Sequence, residues 1–246
     1  MGRCIPDNFL LEQQTIKLLH QKKVSSLFLK LDISKAFDSV SWPFLPEVMN
    51  HLGFGQVWIN LVSNLLSTSS TRILLNGAPG VPIHHQRGLR QGDPLSPMLF
   101  ILVMDVLNSL FIKAGEEGLL HPLANRSVPQ RVSLYADDVA LFICPMEEEL
   151  LMSKQFLDCF GKASGLQTNL NKSCAISIGC EGEPLEVVQD ILHCPTSSFP
   201  STYLGLPISN RQLRKSDFLP RIEKIADRLP GWKAHLMNLA GRATMV

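Results

Sequence analysis

Residues 134–143 read Leu-Tyr-Ala-Asp-Asp-Val-Ala-Leu-Phe-Ile and place two adjacent carboxylates, Asp137 and Asp138, between two short apolar runs. The flanking residues favour strands, so the segment predicts a tight β-hairpin that carries both acids at its turn. Adjacent carboxylates repel one another, and the burial expected of the strands adds a desolvation cost. A divalent cation such as Mg²⁺ would offset both, because hard cations bind carboxylate oxygens. An acidic turn that is simply solvated is the alternative from this segment alone.

A third carboxylate lies far upstream. Residues 27–32 alternate between apolar and other side chains and end at Asp32, which predicts a strand with the acid at its end. Because Asp32 and Asp137 are distant along the chain, only tertiary structure can bring them together. Two neighbouring strands of one sheet would do so, and the sequence therefore predicts a three-acid site.

Between these acids, residues 87–100 form a polar turn that opens an apolar helix. Gly88 and Gly92 allow close backbone approach, and Pro94 suits a first helical turn. Arg90 and Gln91 offer hydrogen-bond donors at a helix N-terminus. A loop with an ordinary helix cap is the alternative.

Five segments in this order resemble the motifs of reverse transcriptases of non-long-terminal-repeat (LINE-type) retrotransposons, of the plant kind. Group II intron maturases and telomerases share the aspartates, but the long string at residues 88–97 favours the retrotransposon branch. The segments are residues 31–38 (first aspartate motif), 88–97 (template and nucleotide motif), 135–138 (second aspartate motif), 164–173 (lysine motif) and 203–208 (primer grip).

The resemblance implies an RNA-directed DNA polymerase that extends a primer 3′-hydroxyl with deoxynucleoside triphosphates (dNTPs). Its partners would be an RNA template, a DNA primer and dNTPs, and its cofactor two Mg²⁺ ions, with Mn²⁺ as an alternative. Asp32 and Asp137 would bridge the two metals, and Asp138 would support one of them. The backbone carbonyl of Ile33 would add a ligand.

The resemblance also implies how the substrates bind. Phe37 would lie under the sugar of the nucleotide and collide with a 2′-hydroxyl; a core phenylalanine is the alternative. Gln91 and Gly92 would contact nucleotide and template, and Arg90 would contact a phosphate. Lys172 would protonate or neutralise the leaving pyrophosphate. The primer grip would consist of Tyr203, Leu204 and Gly205.

The net charge of +1 hides a division along the chain. Residues 1–208 carry 15 Lys and Arg against 19 Asp and Glu, whereas residues 209–246 carry 8 against 3. From Asp217 onward, apolar residues recur at helical spacing with basic residues beside them. The basic face would lie along the backbone of a primer and template, and an ordinary amphipathic surface helix is the alternative. Its basic residues are Arg221, Lys224 and Arg228.

The composition, with 45% hydrophobic residues and no obvious repeats, fits one globular folding unit. The six cysteines form no Cys-x-x-Cys pair, which argues against a zinc site or a disulfide framework and favours a reducing compartment. No secretory signal is visible, and the apolar run Met98–Met104 is too short to span a bilayer and favours a buried helix. We expect an intracellular protein without membrane association. A nuclear site follows only from how such elements integrate.

The pattern of elements predicts an α+β fold, a reverse-transcriptase palm whose antiparallel sheet has helices packed on one face. Residues 180–200, rich in Gly and Pro, read as a loop-rich connection. Predicted strands are 26–32, 71–76, 81–87, the hairpin 132–144, 174–179 and a short hairpin at 202–208. Predicted helices lie within 44–67, at 95–114, at 147–163, and after 216 and 235.

The resemblance divides the chain into a partial fingers segment (1–24), a palm (25–208) with a fingers insertion around 44–88, and the start of a thumb (209–246). Residues 2–8 resemble the interior of a fingers motif and residues 239–244 the beginning of a thumb helix, so we expect a fragment truncated at both ends. The alternative function is therefore a catalytically inactive retrotransposon-derived fragment with residual or no nucleic-acid binding. None of the five motifs is broken, which favours the enzyme.

Overall fold

The computed structural model describes residues 5–126, 128, 130–179 and 184–228. The helices are α1 (Ile5–Gln21), α2 (Ala36–Ser39), α3 (Phe44–His51), α4 (Gln56–Ser67), α5 (Ser96–Glu116), α6 (Glu147–Ser164), α7 (Pro184–Leu192) and α8 (Lys215–Arg228). The strands are β1 (Ser26–Asp32), β2 (Ser70–Thr71), β3 (Leu74–Leu75), β4 (Ala78–Pro79), β5 (Ile83–His84), β6 (Val132–Tyr135), β7 (Asp138–Ile143), β8 (Cys174–Ile178), β9 (Thr196–Ser197), β10 (Ser201–Tyr203) and β11 (Leu206–Ile208).

A five-stranded sheet in the order β6-β7-β1-β8-β9 forms the centre of the molecule. All its pairs are antiparallel except β8 with β9. Side chains alternate between the two faces of a strand, so Leu27, Leu29 and Leu31 of β1 point to one face. There they join the larger apolar cluster, to which α5 contributes Phe100 and Val103. The fold class predicted from sequence is confirmed.

The second face of the sheet is also covered, which corrects the expectation of helices on one face only. Ile16 and Leu19 of α1 form a second apolar cluster with Phe28 of β1 and Tyr203 of β10. The reason is visible in β1, whose first four residues are all buried. A strand that is apolar on both faces needs a cover on each of them.

Most predicted elements are confirmed within a few residues, and three are wrong: two strands and one loop. The strands expected at 71–76 and 81–87 are four strands of two residues each. The loop-rich connection at 180–200 contains α7, which begins at Pro184, a residue that helices tolerate in the first turn. The helix expected after 235 lies outside the described residues. The division into fingers, palm and thumb stays a prediction.

The apolar run at Met98–Met104 is part of a longer apolar helix, α5, so its expected length was too short. With 21 residues and a mean hydropathy of 1.8, it is long and apolar enough to cross a membrane by length and composition. Core helices of globular domains meet the same criteria. Its residues Leu99, Phe100, Val103 and Leu107 are buried in the larger cluster on the sheet, whereas Met98 and Ile101 are exposed.

A buried ionic cluster fixes the β6–β7 hairpin, which carries two of the predicted site acids. The fully buried carboxylate of Glu149 in α6 accepts a hydrogen bond from Arg131 at 2.6 Å. It also accepts bonds from the backbone N–H groups of His121 at 2.9 Å and Cys144 at 3.0 Å. Arg131 precedes β6 and Cys144 follows β7, so one carboxylate holds both ends of the hairpin.

Candidate active site

The strand register brings the predicted acids together. Asp32, the last residue of β1, pairs directly with Asp138, the first residue of β7. Tyr135 pairs with Asp138 across a two-residue turn, so Asp137 lies at the tip of the β6–β7 hairpin. Asp32 and Asp138 are half-buried, whereas Asp137 is exposed. The prediction that neighbouring strands unite the three carboxylates is confirmed.

The three carboxylates interact electrostatically. Burial is the main cause that raises the pKa of Asp138. The ammonium group of Lys30 lowers that pKa, and the carboxylates of Asp137 and Asp32 raise it further. Such mutual repulsion disfavours three ionised acids without a counter-charge.

The three acids fit a hard divalent cation by residue type and by their placement at one sheet edge. Their side chains do not form a closed ligand set, however. Among the residues that the structure describes, no group of three His, Cys, Asp or Glu side chains is arranged to hold a metal ion. The strand register thus gathers the three acids at one sheet edge, and a metal site there stays a prediction.

The lysine-motif segment fixes the backbone around Asp32 from the other side. The N–H of Asn169 donates to the carbonyl of Asp32 at 2.8 Å, and the N–H of Ser34 donates to the carbonyl of Gln167 at 2.9 Å. The N–H of Asp32 donates to the hydroxyl of Ser173 at 3.1 Å. The carbonyl of Ile33, predicted as a ligand, belongs to this same stretch. The motif thus holds the end of β1 in place.

A polar cleft of about 760 Å³ opens beside Asp32. It contains Ile33 and Lys172 of the predicted site, together with Gln167 and Asn169. It also contains three cations that the sequence analysis missed: Lys35, Arg87 and Lys162. Lys35 and Arg87 lie in or beside the quoted motifs, which was a usable signal, whereas nothing local distinguishes Lys162 at the end of α6. Four cations beside a carboxylate suit a polyanionic ligand.

The predicted sugar gate, Phe37, lies at the edge of the core. It is half-buried, and its ring stacks on Phe100 of α5 with centroids 4.7 Å apart and an interplanar angle of 13°. It packs against the larger cluster and is absent from the residues that line the cleft. The alternative that Phe37 is a core residue therefore accounts for part of its surroundings, and its role as a sugar gate stays a prediction.

Gly88 and Gly92 serve different purposes. A Cβ on Gly88 would lie 2.7 Å from the carbonyl oxygen of Asp38, so the predicted close approach is confirmed there. Gly92 has open space around it and a φ of +89°, so only its backbone conformation calls for glycine. The N–H of Gly88 donates to the carbonyl of Val40 at 2.8 Å, and its carbonyl accepts from the Trp42 indole at 2.7 Å. These contacts fix the loop against the segment that follows the first aspartate motif.

The start of α5 differs from the prediction. The helix begins at Ser96, so Pro97 and not Pro94 occupies the first turn. A carboxylate oxygen of Asp93 accepts from the N–H of Leu95 at 2.8 Å and ends the preceding loop.

The predicted nucleotide-binding residues of this loop are not brought to the cleft. Arg90, Gln91 and Gly92 are exposed, and Arg90 borders a separate pocket of about 150 Å³ with His85 and Asp93. Their roles stay predictions.

Comparison with known proteins decides the family. The profile of the family described as reverse transcriptase (RNA-dependent DNA polymerase) matches residues 2–208. The chain belongs to the reverse transcriptase family. Members of this family generally use divalent metal ions. The resemblance seen in the sequence is confirmed.

The relatives of this reverse transcriptase include retrotransposon proteins. An uncharacterized 149 kDa protein of transposon TX1 from Xenopus laevis is 28% identical over 100% of this chain and 19% of its own length. A Pol polyprotein of the retrotransposable element R2 from Popillia japonica is 30% identical over 71% of this chain and 24% of its own length. An uncharacterized mitochondrial protein of Arabidopsis thaliana is 45% identical over 27% of this chain and 57% of its own length. The chain thus spans about a fifth to a quarter of the two retrotransposon relatives.

The solved structures confirm the fold. Apo telomerase from Candida tropicalis, truncated from its C-terminal domain, superposes with a TM-score of 0.59 and 14% identity. The match covers 87% of this chain and 40% of that one.

The primer-grip motif forms a hairpin, but Tyr203 does not face solvent. Strands β10 and β11 enclose a two-residue turn, Leu204 and Gly205, with φ of 47° and 82°. Tyr203 is 0% exposed, and its ring meets Phe28 edge to face at 5.9 Å. The expectation that Tyr203 contacts a primer directly is therefore wrong, because its side chain is buried in the second apolar cluster. Leu204 and Gly205 remain accessible at the tip.

The basic segment is helical, as predicted, in α8. Arg221 is half-buried and Lys224 is exposed. Arg228 is the last residue of α8, and its side chain lies outside the described part of the chain. The apolar residues Phe218 and Ile222 are themselves 36% and 55% exposed. The role of this helix on nucleic acid stays a prediction.

Proposed function

We propose that this chain is the palm region of an RNA-directed DNA polymerase that extends a DNA primer on an RNA template. The oxygen of the primer 3′-hydroxyl forms a bond to the α-phosphorus of a dNTP, and the hydroxyl proton passes to solvent water. The bond between the α-phosphorus and the oxygen that bridges to the β-phosphorus breaks, and pyrophosphate leaves with that oxygen. The observation that supports this most is the register of Asp32 opposite Asp138 beside a cationic cleft, in a chain of the reverse transcriptase family.

The acids Asp32, Asp137 and Asp138, with the carbonyl of Ile33, would hold two Mg²⁺ ions, or Mn²⁺ as an alternative. Bound metal would supply a lowered pKa for the attacking hydroxyl and charge balance for the leaving pyrophosphate. Two features of the chain support this assignment: the three acids share one sheet edge, and burial, together with the carboxylates of Asp137 and Asp32, raises the pKa of Asp138.

The cations of the cleft would bind the triphosphate. Lys172 would lie at the pyrophosphate, and Lys35, Arg87 and Lys162 would share its negative charge. The exposed loop at Gln91 and Gly92 would face nucleotide and template, and Leu204 and Gly205 would face the primer.

The division into partial fingers (1–24), palm (25–208) and the start of a thumb (209–246) belongs to the same proposal. So does an intracellular, nuclear site of action.

A catalytically inactive relative is the second candidate. It is favoured by one observation, the open arrangement of the acids among the described residues. An inactive relative would keep the fold without binding the catalytic metal ions, so the two candidates differ in whether the folded chain extends a primer.

Primer extension separates them. The chain would be assayed on an RNA template with a labelled DNA primer, dNTPs and Mg²⁺, beside Asp137→Asn and the matched control Asp158→Asn, whose exposed carboxylate lies on α6. We expect extension by the wild type and by Asp158→Asn, and a loss of at least about a hundredfold in Asp137→Asn, as for the removal of a group that stabilises charge in the transition state. Extension by Asp137→Asn at the wild-type rate would contradict the metal assignment. No extension by a folded wild type would favour the inactive relative.

A further inference from the structure

The β10–β11 hairpin lies outside the central sheet. Its strands have three residues each, and within the described part of the chain they pair only with one another. A two-stranded hairpin is at best marginally stable by itself in water. Its position must therefore come from contacts with other elements of the molecule.

The first anchor is a side chain of α1. The amide of Gln13 donates to the carbonyl of Ser209, and its oxygen accepts from the N–H of Ser209 at 3.1 Å. The side-chain amide of Gln13 thus pairs with both backbone groups of Ser209, the residue that follows β11, as a neighbouring strand would. Gln13 is 7% exposed and Ser209 is 0% exposed, so water cannot replace either bond. A buried donor or acceptor left unpaired carries its full desolvation penalty.

The second anchor is a side chain of β1. The ammonium group of Lys30 donates to the carbonyl of Thr202 in β10 at 3.2 Å. Lys30 precedes Asp32 by two positions on the same strand, so both side chains point to the same face of the sheet. A strand rises about 3.3 Å per residue, which separates their Cα atoms by about 6–7 Å. The strand that carries the first catalytic acid thus also carries a hairpin anchor.

A buried polar cluster completes the junction between α1 and the hairpin. Glu12 of α1, Ser133 of β6 and Tyr203 of β10 bury their polar side chains there. Burial is the main cause that raises the pKa of the Tyr203 hydroxyl; Glu12 and Asp138 raise it further, and a hydrogen bond with Ser133 lowers it. The hairpin, α1 and the catalytic acids therefore lie within electrostatic reach of one another.

We propose that Gln13 is a positioning residue: with Lys30, it holds the β10–β11 hairpin beside Asp32 and Asp138 so that the hairpin can place a primer end. The inference rests on the proposed function and adds to it. It assigns to α1, which contains none of the proposed catalytic residues, the task of fixing the primer relative to the acids.

The test uses Gln13→Leu, which keeps the size of the side chain and removes both hydrogen bonds. Gln14→Leu, the same change at the exposed neighbour, is the matched control. The KM for primer–template, the KM for dNTP, and kcat would be measured, together with hydrogen exchange of the amides in residues 201–209. We expect Gln13→Leu to raise the KM for primer–template about tenfold or more, because the loss of even one of the two buried hydrogen bonds corresponds to a change of about that size. The KM for dNTP and kcat should change by less than about twofold.

The control Gln14→Leu should leave all three constants and the exchange pattern unchanged. Faster exchange at residues 201–209 in Gln13→Leu alone would support the anchor even in a wild type without polymerase activity, so the two proposals fail separately. Equal KM values for Gln13→Leu and Gln14→Leu in an active enzyme, or unchanged exchange in an inactive one, would overturn the inference. If Gln13→Leu does not fold, Lys30→Met decides by hydrogen exchange at residues 201–209 alone, because Lys30 also acts on the carboxylate of Asp138.

Discussion

Single residues set the chemistry of this palm through the strand to which each belongs. Asp32 and Asp138 face one another because β1 and β7 pair in one register, and a slip by one position would turn one acid to the other face of the sheet. Ala136, beside Asp137 in the turn, has a φ of 52°. A non-glycine residue in this left-handed region costs about 1–2 kcal/mol. The stability of the surrounding hairpin therefore keeps Asp137 at its tip.

The proposed role of Phe37 as a sugar gate can be tested by a single substitution. Phe37→Val should raise ribonucleotide incorporation relative to deoxynucleotide incorporation by about tenfold or more, because removing one steric group from a pocket changes discrimination by about 10–200-fold. The ratio of the two kcat/KM values measures it. Phe156→Val is the control, since Phe156 packs half-buried on the same apolar cluster in α6. A ratio unchanged in an active Phe37→Val enzyme would show that Phe37 is a core residue only.

At the scale of elements, the site depends on segments that fix one another. The loop at Gly88 docks on the backbone of residues 37–42, and the lysine-motif segment docks on Asp32. Glu149 holds both ends of the β6–β7 hairpin. The loop also brings Arg87 to the cleft. A change in loop packing should therefore affect stability and substrate binding together.

Alanine substitutions at Gly88 and Gly92 test how tightly the loop packs. The two variants are matched because both glycines have a positive φ. Gly92→Ala should cost about 1 kcal/mol of unfolding free energy, the penalty of the backbone conformation alone. Gly88→Ala should cost about 2–4 kcal/mol, because its Cβ would also collide with the Asp38 carbonyl. Denaturant unfolding measures both. Equal costs would mean that the loop moves away without penalty.

At the scale of the whole molecule, the sheet is covered on both faces. The larger cluster with α5 packs on one face, and α1 with the β10–β11 hairpin packs on the other. The second face also buries acidic Glu12, which is 2% exposed. Such a group couples the stability of the entire fold to pH.

Burial raises the pKa of Glu12 from 4.5 to about 7. Between these values the folded protein binds more protons than the unfolded chain, so the contribution of Glu12 is most favourable below pH 4.5 and is lost as pH rises towards 7. Glu12→Gln should therefore have little effect near pH 4 and stabilise the protein by about 3 kcal/mol near pH 8, at about 1.4 kcal/mol per pKa unit. Unfolding free energies from pH 4 to pH 8 measure the difference. Glu148→Gln, at an exposed position of α6, should give a flat difference, and a flat difference for Glu12→Gln would contradict the prediction.

The sequence by itself determined the local structure that its motifs encode. The acidic hairpin, the strand that ends at Asp32, the apolar helix α5 and the membership in the reverse transcriptase family follow from residue types at short spacing. Such patterns act through backbone preference and through the alternation of apolar side chains, both of which are local. Pro184 misled the interpretation of α7 because proline interrupts a helix in its interior and not in its first turn.

Only the tertiary structure decided which distant groups meet. It paired Asp32 with Asp138, brought Lys162 and Arg87 to one cleft, enclosed Tyr203, and joined Gln13 to Ser209. Each of these depends on contacts between segments that lie far apart along the chain. The physical reason is that burial and hydrogen-bond satisfaction belong to the assembled core, in which a side chain takes its partner from a segment that no local pattern identifies.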